Sequence, residues 1–174
     1  IHMHYTVYLK DVQADSLREV GIKGQSVATL FKKGFKVPPG FIISSRLLDL
    51  ILLKAEIKNA FSSLNSELVQ RLIKNFVLLP EIIDEILDSY HGLSIGIDTS
   101  ASSLLDTKEE LVAVRSSYID EKGNIPLSQK TFLNVIGKEK LFKSIMECYA
   151  DIFSTESFEF RKKHGLNFST AIVI

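Results

Sequence analysis

The chain has 174 residues, with 21 Lys and Arg against 21 Asp and Glu, 45% hydrophobic residues and one Cys. That length suits one domain, or one and a piece, and the apolar share can build a core. Zero net charge excludes strong long-range attraction to polyanions, and a lone cysteine excludes a disulfide framework or a structural zinc site.

Ile1 and His2 read as a cloning remnant ahead of a native Met3, leaving 3–174 as the chain to interpret. Residues 5–9 alternate and are β-prone, which predicts a first strand. Ser26 to Lys33 predicts a short helix that stops at Gly34, followed by a rigid turn at Val37-Pro38-Pro39-Gly40 and a buried strand at 41–44. Ser44 or Ser45 can cap a helix to about Phe61, and a second helix is expected over about 66–78. Pro80 suits the first position of a third, ending near Tyr90–Gly92.

Gly, Ser and Thr then dominate, so an exposed loop is expected over about 92–108. Leu111 to Val114 predicts a buried strand, 118–128 a polar connector, and Thr131 to Val135 another strand. A long amphipathic helix over about 138–153 carries Cys148 in its apolar stripe, where the thiol is a small hydrophobe. A last helix runs from a cap at Ser154 or Thr155 to His164, ended by Gly165. Ala171-Ile172-Val173-Ile174 reads as a buried strand, an unusual place for a chain to stop, which suggests truncation of a larger protein. The class is α+β. No apolar run approaches a membrane span and no signal peptide is visible, so a cytoplasmic location is expected.

Two local features carry chemistry. In Val20-Gly21-Ile22-Lys23-Gly24-Gln25-Ser26 a lysine lies between glycines beside an expected helix start. Backbone N–H groups, the positive end of a helix and a point charge together suit a phosphate, although a simple turn has the same pattern. In Val112-Ala113-Val114-Arg115-Ser116-Ser117 an arginine directly follows a predicted strand, and its fork of donors matches phosphate oxygens; a solvated strand-end arginine is the alternative. No metal spacing, nucleophile elbow or P-loop is present in the sequence. His91 and His164 are each expected to close a helix.

The ordered set Gly21-Ile22-Lys23-Gly24, Gly34 to Phe41, Val112 to Ser117 and Thr131 to Val135, with the helix ending Cys148 to Ser154 and the stretch Phe160 to Gly165, resembles a known family. It is similar to the N-terminal nucleotide-binding domain of phosphoenolpyruvate synthase, which pyruvate phosphate dikinase and rifampicin phosphotransferase share. The resemblance implies a truncated ATP-grasp-type domain that binds ATP with Mg²⁺ and, in the full enzyme, phosphorylates a histidine on a mobile domain. By position Lys23 and Arg115 match the family's phosphate contacts, and Thr131 matches a threonine near the nucleotide. The Mg²⁺ ligands, the histidine domain and the substrate domain are then expected outside this chain, so no catalytic or metal residue is assigned within it.

Two positions depart from the family pattern. Ile22 stands where a second glycine is usual, and the glycine of the phosphate loop falls on Leu127. The alternatives are a rifampicin phosphotransferase-like enzyme and a degenerate relative that keeps the fold as a regulatory module.

Overall fold

A computed structural model describes residues 4–95, 109–119 and 129–174. Five strands form one sheet: β1 (Thr6–Tyr8), β2 (Phe41–Ile43), β3 (Val112–Tyr118), β4 (Thr131–Val135) and β5 (Thr170–Val173). Their spatial order is β1-β2-β5-β3-β4, and every neighbouring pair is antiparallel.

Alternation along the strands divides the side chains between two faces. Phe41, Ile43, Val114, Tyr118, Ile172 and Ile174 enter the main core. Six helices supply most of the rest: α2 (Arg46–Leu52), α3 (Ala55–Ser62), α4 (Ser66–Lys74), α5 (Pro80–Ile95), α6 (Lys138–Asp151) and α7 (Thr155–His164). Ile42, Ala171 and Val173 point the other way, toward α1 (Leu17–Lys32), in a smaller cluster with Val20 and Ala28. Burying each large aliphatic chain in such a core contributes about 1.5–3 kcal/mol.

α1 packs on β5, β3 and β2. Beyond it, toward the β4 edge, Arg115, Thr131 and Leu133 are exposed. At the opposite edge, Glu85 of α5 accepts the N–H groups of Tyr5 and Thr6, both at 2.7 Å, and so satisfies backbone donors at the start of β1.

Several boundaries differ from expectation. The first helix begins at Leu17, well before Ser26; Gly21 interrupts it with a non-helical backbone (φ +73°, ψ 171°), so two helical segments join at a kink and the second begins at Ile22, with Gly24 inside it. The helix expected from Ser44 or Ser45 to Phe61 is broken in two at Leu53–Lys54. In one unbroken helix Ile51 and Ile57 would point about 120° apart; the break lets both be fully buried. Of the two serines expected at the start of α2, the Ser44 Oγ accepts the Arg46 N–H at 3.3 Å, while the Ser45 hydroxyl donates to the Arg18 carbonyl at 2.8 Å, tying α2 to α1. α4 stops at Lys74, and α5 continues to Ile95, so His91 lies inside α5 and closes nothing. Residues 92–95 of the expected loop are thus helical, while 96–108 lie outside the described residues.

Other expectations hold. Pro80 opens α5, the Ser154 Oγ accepts the Ser157 N–H at the start of α7, and Gly165 ends that helix at φ +62°. β5 is buried along its whole length.

Candidate functional site

The site is built around the bend in α1. A Cβ at Gly21 would lie 2.3 Å from the Ser117 Oγ and 2.4 Å from the Ser117 carbonyl oxygen. At Gly24 it would lie 2.9 Å from the Ile42 side chain. Gly21 is therefore needed for α1 to reach the sheet, since it takes a positive φ and meets backbone, whereas a Cβ at Gly24 would press only on the tip of the Ile42 side chain.

Ile22 does not adopt a positive φ. The position where the resemblance implies a second glycine is thus helical, a conformation open to isoleucine.

Ser117 holds the bend from the sheet side. Its Oγ donates to the Val20 carbonyl at 2.8 Å and accepts the Gly24 N–H at 2.9 Å. A helix start usually takes its capping oxygen from its own N-cap side chain. Gly21 has none, and the fully buried Ser117 supplies that oxygen from β3.

Lys23 lies in the first turn after the bend, half-buried, and its ammonium donates to the Gln129 Oε1 just before β4. Arg115 is exposed and lies within β3, which continues through Tyr118. The expectation that Arg115 follows the strand is therefore corrected. Polar Arg115, Ser116 and Ser117 stay in the ladder because β5 and β4 supply backbone partners: Arg115 is in register with Val173 on one side and Thr131 on the other.

Direct cross-strand partners share a face, so the Arg115 and Thr131 side chains stand together. Ser117, two residues on, stands on the same face and contacts α1. Continuing the register puts residue 129 beside Ser117, which agrees with the Lys23–Gln129 contact. The structure thus brings Lys23, Arg115 and Thr131 to one face of the sheet.

The backbone of β4 at this point is anchored from the opposite side. The Lys130 ammonium lies 3.5 Å from Glu147 and 3.9 Å from Asp151 on α6. The Cys148 thiol approaches the Lys130 carbonyl at 3.9 Å. Burial raises the Asp151 carboxyl above its ordinary value, opposed by the Lys130 charge and backbone N–H. Burial also pushes the Cys148 thiol up to about 11, which makes it a protonated core group and not a nucleophile. His164 ends α7, where its Nδ1 contacts the Phe160 carbonyl at 2.9 Å.

Sequence reasoning assigned no role to Ser117 or Gln129. Ser117 was detectable as the small residue two positions beyond Arg115. Gln129 carried no local signal, since its partner is 106 residues away. Leu127, where the resemblance places the loop glycine, lies outside the described residues. Among the described residues no three His, Cys, Asp or Glu side chains gather as a metal site, and no helix is long and apolar enough to cross a membrane.

The chain is 26% identical to the phosphoenolpyruvate synthase of Aquifex aeolicus over 182 residues, covering 92% of this chain and 20% of that protein. It is 27% identical to the phosphoenolpyruvate synthase of Helicobacter pylori, covering 95% of this chain and 22% of the relative. Identity to the rifampicin phosphotransferase of Bacillus cereus is also 27%, covering 94% of this chain and 19% of the relative. The chain therefore spans about a fifth of the length of these relatives. Residues 17–174 match the family described as pyruvate phosphate dikinase, AMP/ATP-binding domain. That match takes in the Gly21 bend, both cations and all but the first strand of the sheet, and the chain belongs to this family.

Proposed function

We propose that this chain is the N-terminal ATP-binding part of a phosphoenolpyruvate synthase-like phosphotransferase. In this reading the ATP phosphates lie on the open half of the sheet's α1 face, between Lys23 and Arg115. The observation that carries it is the shared face: Arg115 and Thr131 are cross-strand partners, and Lys23 reaches that face at Gln129. Gln129 is two residues from Thr131, about 7 Å along an extended chain.

Phosphoryl transfer depends on positioning and on charge placed where phosphate charge shifts. Lys23 contributes a point charge near the positive end of a helix, Arg115 a planar fork of donors, and Thr131 a hydroxyl beside it. In this reading the Mg²⁺ ligands lie outside this chain. The full enzyme would be cytoplasmic, of dikinase type and ATP-grasp-like, transferring phosphate to a histidine on a mobile domain outside this chain. These 174 residues alone would then give no turnover, and robust ATP- and pyruvate-dependent phosphoenolpyruvate formation by them would refute that.

The comparable identity to a rifampicin phosphotransferase supports a second acceptor reading on the same ATP site. Titration calorimetry of MgATP into the intact protein and its Lys23→Ala variant tests the site. Binding weakened by about tenfold or more is expected for loss of a charge-assisted contact. Unchanged affinity in the variant would overturn the phosphate placement, and no binding by the intact protein would favour a degenerate regulatory relative.

A further inference from the structure

We propose that Gln129 positions the Lys23 ammonium for the phosphates, acting as a neutral acceptor that holds the cation without cancelling its charge. This rests on the placement of phosphates at Lys23 given above. Lysine is a flexible four-carbon stem, and fixing it costs rotamer freedom. The Lys23 ammonium donates to the Gln129 Oε1, which restricts the stem before any ligand arrives.

Gln129 is itself held. The next residue, Lys130, is tied to α6 by ion pairs to Glu147 and Asp151, and the Cys148 thiol approaches its carbonyl. Extending the Arg115–Thr131 register by two residues would bring residue 129 beside Ser117, whose hydroxyl accepts the N–H of Gly24, the residue after Lys23. Two neighbouring strands thus act together, β3 placing the helix start through Ser117 and the segment leading into β4 placing the lysine head through Gln129.

The choice of a carboxamide has a chemical consequence. An ammonium has three protons, so a bond to Gln129 is compatible with contact to phosphate oxygens. A carboxylate at this position would neutralise the cation and repel phosphate. An alkyl group would leave the ammonium without this restraint.

A double-mutant cycle with inorganic tripolyphosphate and with MgATP as probes tests this in the intact protein. Gln129→Ala is expected to weaken both by about three- to tenfold, within the net worth of one ordinary hydrogen bond, since Gln129 restrains the cation without touching the ligand. In a Lys23→Ala background the same change should have no effect. Gln129→Glu, nearly isosteric and so a safeguard against misfolding, should weaken binding more than Gln129→Ala while leaving the thermal midpoint unchanged. A merely structural residue would not show that dependence on the sign of charge.

An equal loss from Gln129→Ala with and without Lys23, or wild-type binding by Gln129→Glu, would overturn the positioning role alone. Wild-type binding by Lys23→Ala would overturn both this role and the phosphate placement.

Discussion

The Ser117 hydroxyl accepts the Gly24 N–H at 2.9 Å while donating to the Val20 carbonyl at 2.8 Å, so one strand residue closes both sides of the bend in α1. Residues 93 and more positions apart in sequence thereby share the work of starting a helix. The contact leaves no room for a side chain at Gly21.

Gly21→Ala should therefore cost about 2–4 kcal/mol, from left-handed strain plus collision with the Ser117 backbone. Gly34→Ala separates the two contributions, because Gly34 has a positive φ but open space around it. It should cost only about 1–2 kcal/mol, the conformational part. Urea unfolding of both variants measures the difference; equal losses would remove the collision as a cause.

Ser117→Ala leaves the Gly24 N–H and the Val20 carbonyl without their buried partner, at about 1–3 kcal/mol. Because it loosens the turn that carries Lys23, MgATP affinity should fall as well. Calorimetry beside a denaturation series checks both, and a stability loss with intact affinity would separate the bend from the site.

Arg115 is exposed, so its replacement should change stability by no more than about 0.5 kcal/mol. Arg115→Ala should nevertheless weaken MgATP binding by about tenfold or more, with Arg115→Lys between it and the native protein, since lysine keeps the charge and loses the fork. Equal binding by the Ala and native proteins would remove Arg115 from the phosphate site.

Cys148 sets a pH dependence. Its folded thiol titrates at about 11 against an ordinary 9.0, so across that window the unfolded chain has lost the proton and the folded one keeps it. The unfolded state then binds fewer protons, and stability falls as pH rises from about 9 to about 11. The stability difference between native protein and Cys148→Ala should shrink over that range, read by urea unfolding at a series of pH values. A constant difference would mean that the thiol is not raised.

Much of this chain's local order is legible without its fold. Pro80 pre-sets a helical φ, the Ser154 hydroxyl caps α7, and Gly165 takes the left-handed turn that stops it. These signals act within a few residues, so the sequence suffices for them. The apolar runs of β2 and β5 are legible for the same reason; Lys23, Arg115 and Thr131 are proposed on motif order, and what the structure adds is that they share a face.

Tertiary structure decided the rest. Arg115-Ser116-Ser117 looks like the end of a strand until β4 and β5 satisfy its backbone on both sides. Gly21 looks like a breaker until Ser117 shows why a bare backbone must pass there. The α2–α3 break has no glycine or proline to announce it, and arises because Ile51 and Ile57 must both reach the core. Lys23 meets Gln129 across 106 residues. Local chemistry determined which residues can bend, cap and carry charge; only long-range pairing of the sheet decided which of them stand on one face, because cross-strand register is set by partners distant in sequence.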